Sequence, residues 1–119
     1  MSSIKIVVYD LVSNSFCVDV DDGKLLYDLL NDKFKAEQVI ALDFQNIEMI
    51  TPTFLNIAIG QLYRNFTAEF IRAHLTVVNM LPEDMALLKR VVDTAKLFYS
   101  DHERLQNSIN EISGYYLQM

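Results

Sequence analysis

Asp43 is the residue of this chain best placed for chemistry, because it lies near the end of the apolar segment Gln38–Phe44. A carboxylate at the end of a buried strand can accept a phosphoryl group when a second acidic group helps hold a divalent cation and a lysine follows. Asp10 is the only candidate for that second group, and no lysine lies at the end of the segment His74–Met80. The alternative is that Asp43 hydrogen-bonds the backbone N–H groups of the following turn.

A second candidate is the sequence Thr51-Pro52-Thr53. Thr51 can cap a helix that starts with Pro52, since proline at the first helical position loses no hydrogen bond. A phosphate on Thr51 or Thr53 would meet free N–H groups and the positive end of the helix dipole while adding nearly two negative charges. Helix capping and a phosphorylation switch are therefore both open.

The other reactive side chains form no catalytic or metal-binding set. His74 and His102 fall on different predicted elements, and neither is paired with a second histidine or a cysteine at zinc-ligand spacing. Cys17 lies in an apolar run, which favours a small core residue over a nucleophile. The three glycines are isolated, so no phosphate-binding loop is predicted. We expect no metal, no cofactor and no enzymatic activity.

Length and charge bound the protein class. A chain of 119 residues is long enough for a single domain spanning 1–119 with its own core. Sixteen acidic residues against ten basic ones give a net charge of −6, which disfavours nucleic-acid binding. A lone cysteine, no leader pattern and no apolar run of 18 residues predict a cytoplasmic protein without a membrane segment.

The elements that must position these residues follow from apolar spacing. Two β-rich segments joined by a polar turn predict an opening hairpin, and Phe16–Val20 alternates apolar and polar residues as a strand does. Helical spacing follows Gly23, Pro52 and Pro82, and a capping box at Ser100 predicts a separate terminal helix. The predicted strands are 4–12, 16–20, 38–44 and 74–80, and the predicted helices follow Gly23 and cover 52–70, 82–99 and 100–117.

This order, ββαβαβαα, predicts an α/β fold in which helices pack on a mixed sheet of about four strands, with a core at about 4–99. Partner and ligand sites of such sheets gather at the carboxyl ends of the strands, where Asp43 and Thr51–Thr53 fall. The helix 52–70 carries too many apolar residues for one narrow face. It must therefore lie deep in the fold or show part of its surface to a partner.

The segment ALDFQNIEMITPTFLNIAIGQL resembles the signature of the STAS-like domain family of unknown function, which consists of small bacterial proteins. The matching features are a strand ending in Leu42-Asp43-Phe44, a short apolar run at 47–50, and the helix start Thr51-Pro52-Thr53-Phe54. The later PEDMALLKRVVDTAKLFY is similar to the last helix of the family. The resemblance covers about 4–99 and implies a STAS-like fold.

The parent fold is similar to that of anti-sigma factor antagonists, which a partner kinase phosphorylates on a serine at this helix start. Their motif is Asp-Ser-Ser-Gly, and Pro52 occupies the position of the phosphorylated serine here. The resemblance thus implies either a displaced acceptor, Thr53 or Thr51, or no phosphorylation. It also implies a partner of the histidine-kinase-like ATPase class and regulation by partner switching.

Three functions follow as hypotheses. The first is a non-enzymatic regulatory module that binds a protein through the 44–54 loop and the 52–70 helix, using Asp43, Phe44, Thr51, Pro52, Thr53, Phe54 and Asn56. The second is a small-molecule or nucleotide-binding domain that holds an anion at the helix starts Thr51–Phe54 and Pro82–Asp84. The third is an enzyme using Asp10, Asp43 and a divalent metal. The protein is expected to be a monomer or a weak homodimer formed through the terminal helix.

Overall fold

The structure is a computed structural model that describes the backbone of residues 3–117 and the side chains of residues 3–99. It belongs to the α/β class, with helices packed on parallel sheets. The elements in chain order are β1 (Ile4–Val7), α1 (Val8–Val12), β2 (Phe16–Cys17), α2 (Val20–Lys35), β3 (Ile40–Asp43), β4 (Met49–Ile50), α3 (Pro52–Leu55), a π-helical turn (Asn56–Gly60), α4 (Leu62–Asn65), α5 (Ala68–His74), β5 (Leu75–Val78) and α6 (Pro82–Leu117).

The described strands form two parallel sheets. The larger sheet has the order β1-β3-β5, and the smaller one pairs β2 with β4. In the larger sheet Ile6 pairs with Leu42, and Leu42 pairs with Val77. Ile6 and Leu42 belong to the hydrophobic core and Val77 packs against it, whereas on the other face Lys5 and Thr76 are exposed. The helices therefore cover one face of the larger sheet.

The predicted opening hairpin is wrong. After β1 the chain turns into the short helix α1, whose Val8 and Val12 are both buried. Ser13 ends this helix in the left-handed conformation, at φ 56°, and donates its N–H to the Tyr9 carbonyl. Burial of two valines four residues apart on one helical face outweighs their preference for strands. As a result β2 pairs with β4 and not with β1.

The predicted helix 52–70 is interrupted. Helical structure beginning at Pro52 ends at Asn65, and Phe66 is extended at φ −130° and ψ 147°. Thr67 then caps α5 by accepting a hydrogen bond from the Phe70 N–H at 3.0 Å. A threonine cap satisfies an N–H group that would otherwise be unpaired at a helix start, so a new helix can begin there.

The predicted break at Ser100 is also wrong, since α6 is one helix of 36 residues. No glycine or proline lies between Pro82 and Gly114 to interrupt the helix. The helix therefore continues through Ser100, although the capping pattern there is also compatible with the start of a new helix. The side chains that would show how this half of α6 is covered lie outside those the structure describes, and the homodimer stays a prediction.

The helical segment after Pro52 lies deep in the fold. This is one of the two alternatives that its many apolar residues predict, the other being a surface partly exposed to a partner. Ala58, Ile59 and Leu62 are buried. A Cβ added to Gly23 of α2 would stand 3.2 Å from Ile57 Cγ2 and 3.4 Å from the Phe54 carbonyl oxygen, so glycine permits this close helix contact. Among the described residues, the search for a helix long and apolar enough to cross a bilayer found none.

Candidate functional site

Asp43 joins the carboxyl ends of the central strand and one edge strand. Its side chain is completely buried at the end of β3. Oδ1 accepts hydrogen bonds from the Gln45 N–H at 2.8 Å and from Asn79 Nδ2 at 2.9 Å. The bond to the following turn confirms the structural interpretation of Asp43, while the bond from Asn79, which follows β5, was not predicted. Asn79 adopts the left-handed conformation at φ 57°, which asparagine tolerates better than most residues.

Lys5 provides the only described ion pair to Asp43, with 3.1 Å between Nζ and Oδ2. The distance suits an ion pair, although Oδ2 accepts no well-directed hydrogen bond. The pKa of Asp43 is held below its ordinary value mainly by the Asn79 hydrogen bond, then by the Gln45 N–H and, more weakly, by Lys5. Burial acts in the opposite direction. Asp43 is therefore an ionised structural acceptor.

The helix start after this turn is fixed by its own cap. Thr51 Oγ1 accepts a hydrogen bond from the Phe54 N–H at 3.2 Å, and Pro52 occupies the first turn, as predicted. Thr51 is half-buried, whereas the Pro52 and Thr53 side chains are exposed. Of the two candidate phosphorylation sites, Thr53 is the more accessible.

The side chains of Phe44 and Phe54 lie in the core and do not form part of the accessible surface. Phe44 is 2% exposed and Phe54 is fully buried, and both belong to the hydrophobic core. The prediction that placed them on a recognition surface is wrong for their side chains, since apolar burial competes with exposure for large aromatic rings. Both rings pack in the hydrophobic core on the buried side of the loop.

Asn56 is exposed and begins the π-helical turn. A Cβ on residue 60 would stand 2.6 Å from Asn56 Oδ1, so Gly60 leaves the room that this side chain occupies. π-Helical turns are rare and frequently lie at functional sites. The accessible part of the predicted site, here called the loop corner, consists of Gln45, Asn46, Glu48, Met49, Pro52, Thr53 and Asn56.

The residues considered for metal-dependent chemistry, Asp10 and Asp43, lie in different surroundings. Asp10 is exposed on α1, and the Asp43 carboxylate is already engaged by Asn79, Gln45 and Lys5. The described part of the chain contains no group of three or more histidine, cysteine, aspartate or glutamate residues that could hold a metal. Cys17 is fully buried, which confirms it as a core residue, and burial raises the pKa of its thiol to about 12.

The predicted anion sites at helix starts have unfavourable features. At Thr51–Phe54 the Phe54 N–H is already bonded to Thr51 Oγ1, and Pro52 carries no N–H. At Pro82–Asp84 two acidic side chains follow the proline, and burial, then Glu83, raise the pKa of Asp84. An anion at α6 would be repelled by the same charges.

Sequence reasoning missed an open groove between the end of α4, the start of α5 and α6. Its volume is about 630 Å³, within the usual range for small-molecule sites. The lining includes Tyr63, Arg64, Phe66, Glu69 and Lys96. The groove depends on the break at Phe66–Thr67, and the Thr67 capping pattern was the one sequence signal that could have revealed it.

Comparison with known protein families identifies the family of this chain. A family described as a STAS-like domain of unknown function matches residues 22–85, which is more than half of the chain and includes β3, the loop corner and β5. No curated protein and no solved structure matches the chain. The strand that ends at Asp43 and the capped helix start at Thr51 lie within the matched region, and the chain belongs to the family of STAS-like domains of unknown function.

Proposed function

We propose that this protein is a non-enzymatic regulatory module that binds a protein partner through the loop corner. The observation that carries the proposal is that these exposed residues rest on a fixed base. The Asp43–Asn79 bond ties two strand ends together, and Thr51 caps the helix start. A preorganised surface loses little conformational entropy on binding, which favours recognition.

The proposed partner is a histidine-kinase-like ATPase of a bacterial cytoplasm, the class implied by the family resemblance. In the proposed regulation, phosphorylation of Thr53 adds negative charge to the loop corner and changes the affinity for that partner. The accessibility of Thr53 supports it as the acceptor over Thr51, whose hydroxyl oxygen already accepts the Phe54 N–H.

The binding test compares Thr53→Glu with Thr76→Glu. Both threonines are exposed, but Thr76 lies in β5 on the open face of the sheet. A candidate ATPase captured by the wild-type chain is identified, purified and titrated calorimetrically with each variant. We expect Thr53→Glu to change the affinity about tenfold and Thr76→Glu less than about twofold, since charge matters most within the contact. Equal affinities for wild type and Thr53→Glu would contradict the proposal.

The phosphorylation step has a separate test. The purified ATPase and ATP are incubated with wild type, Thr51→Ala and Thr53→Ala, and phosphate is located by mass spectrometry. We expect incorporation in wild type and Thr51→Ala and none in Thr53→Ala. Incorporation that persists in Thr53→Ala would remove Thr53 as the acceptor without affecting the binding proposal.

The groove beside α6 favours a second candidate function, the binding of a small molecule. Arg64 and Lys96 in its lining would pair with the anionic groups of a ligand, Glu69 and Asp93 would accept from its hydrogen-bond donors, and Tyr63 and Phe66 offer aromatic surface. A nucleotide panel tests this by melting temperature, because a ligand at a hundred times its Kd stabilises the folded state by about 2.7 kcal/mol. No shift with any nucleotide, or an equal shift in Lys96→Ala, would count against it.

A further inference from the structure

The apolar side of β2 faces outward. Phe16 and Val18 are 44% and 42% exposed, whereas Cys17 between them is fully buried. In an alternating strand the large apolar residues normally face the core. Here the smallest of the three occupies the core position, so two larger apolar side chains remain in contact with water. Such local departures from the burial rule are expected at functional sites.

The exposed apolar surface continues onto β4. Phe16 pairs with Met49 in the parallel register, and Met49 is 52% exposed. Directly paired residues of adjacent strands project from the same face of a sheet, so these two side chains are neighbours. Phe16, Val18 and Met49 together are called the apolar patch.

Acidic residues directly follow or precede two members of this patch, and they are called its acidic rim. Glu48 precedes Met49 and accepts a hydrogen bond from Ser15 Oγ at 3.1 Å. On the β2 side, Asp19 directly follows Val18 and lies at the N-cap position of α2, and Asp21 lies in the first turn of that helix. Both of these aspartates are exposed.

Basic residues are scarce in the segments that carry the patch and its rim. Segments 13–32 and 44–63 together contain one basic residue, Lys24. A second copy of the chain would bring the same negative charges against them, which is unfavourable. A partner with positive charges flanking apolar side chains would be complementary in both respects.

We propose that the apolar patch and its acidic rim bind a cationic amphipathic segment of a protein partner. The apolar side chains of that segment cover Phe16, Val18 and Met49, while its lysines or arginines pair with Glu48, Asp19 and Asp21. The inference rests on the proposed function and extends it, since Glu48 and Met49 also belong to the loop corner. Apolar contact provides affinity, and the charged rim provides orientation and speed of association.

The direct test uses a fluorescent synthetic helix of 16 residues with leucine on one face and lysine on the other. A scrambled peptide of identical composition removes the apolar face and keeps the charge. We expect the amphipathic peptide to bind wild type about tenfold more tightly than the scrambled one, a difference of about 1.4 kcal/mol. Equal binding of both peptides would show attraction by net charge alone and would overturn the proposal.

Variants locate the binding surface. Phe16→Ser combined with Met49→Ser should weaken the amphipathic peptide about tenfold, whereas Leu97→Ser, at a residue 65% exposed on α6, should not. Asp19→Asn combined with Asp21→Asn should weaken it and reduce its salt dependence, and Glu37→Gln combined with Glu69→Gln serves as the charge-matched control. All of these positions are exposed, and urea midpoints confirm that each variant is folded. Unchanged binding by the Phe16/Met49 variant would overturn the proposal.

Titration of the purified partner separates the two proposals. If Thr53→Glu changes partner affinity and the Phe16/Met49 variant does not, the patch inference fails and the proposed function stands. If neither changes it, both fail. A wild-type dimer in sedimentation that the Phe16/Met49 variant converts to a monomer would instead assign the patch to a second copy and overturn the cationic partner.

Discussion

Asp43→Asn tests the most specific feature of the site, the clamp between β3 and the residue after β5. The substitution keeps an oxygen that can accept from the Gln45 N–H and from Asn79 Nδ2, which lie 2.8 and 2.9 Å from Oδ1. It removes the negative charge that strengthens both bonds and attracts Lys5. The perturbation creates no cavity, but it removes the charge and places an amide NH2 group where Oδ2 faces Lys5 Nζ, at 3.1 Å.

The expected cost follows from these contacts. A hydrogen bond to a charged group contributes about 1.5–3 kcal/mol, against about 0.5–1.5 kcal/mol between neutral groups. Replacing the charged acceptor by a neutral one in both bonds should lower the free energy of unfolding by about 2 kcal/mol in all. The Lys5 ion pair adds less than about 1 kcal/mol, because the lysine side chain is 61% exposed. With a urea slope of about 2 kcal/mol/M, the midpoint should fall by about 1 M at pH 7.

The direction of the Asp43 pKa shift predicts how its contribution to the free energy of unfolding changes with pH. Because hydrogen bonds lower the pKa of Asp43 below 3.8 in the folded state, its stabilisation is fully present above that ordinary value. It is lost as the pH falls through the lower pKa of the folded protein. The difference in free energy of unfolding between wild type and Asp43→Asn should therefore be constant from pH 7 to about pH 5 and should become smaller below about pH 4.

Urea unfolding followed by circular dichroism at pH 7, 5, 4 and 3.5 measures both effects. Asp93→Asn is the matched control, since Asp93 pairs with Lys89 at 2.8 Å but is exposed. We expect no resolvable shift for that variant. An unchanged midpoint for Asp43→Asn at pH 7, or a difference that does not narrow in acid, would refute the reasoning.

Three further outcomes are expected. The Cys17 thiol is buried, and burial raises its pKa to about 12. It should therefore react with a disulfide reagent only as fast as the protein unfolds. Rapid labelling of the native chain would disprove this. Thr67→Ala should cost about 1 kcal/mol in thermal or urea unfolding because it removes the α5 cap, whereas Thr94→Ala inside α6 should be nearly neutral. Phe34→Ala should lower the free energy of unfolding, measured with urea, by about 3–5 kcal/mol. The reason is that this ring is 1% exposed and packs edge-on against Phe66 and Phe70. A loss below about 1 kcal/mol would contradict that packing.

The candidate site was predictable to the extent that local chemistry fixes it. Asp43 bonding to the next turn and Thr51 capping a helix that starts with Pro52 depend on residues within three positions of each other. Asn79 is 36 residues from Asp43 and was not identified, because its contact depends on the pairing of β3 with β5. Phe44 and Phe54 were assigned to the surface because their apolar character suits both a core and a partner contact.

The sequence by itself determined the α/β class, the strand that ends at Asp43 and the capped helix start at Thr51, since apolar period and capping chemistry act over a few residues. Only the tertiary structure decided that β2 pairs with β4, that the helix 52–70 breaks at Phe66, and that the apolar side of β2 faces water. The physical reason is that strand pairing and burial depend on contacts between distant segments, which can override local preference.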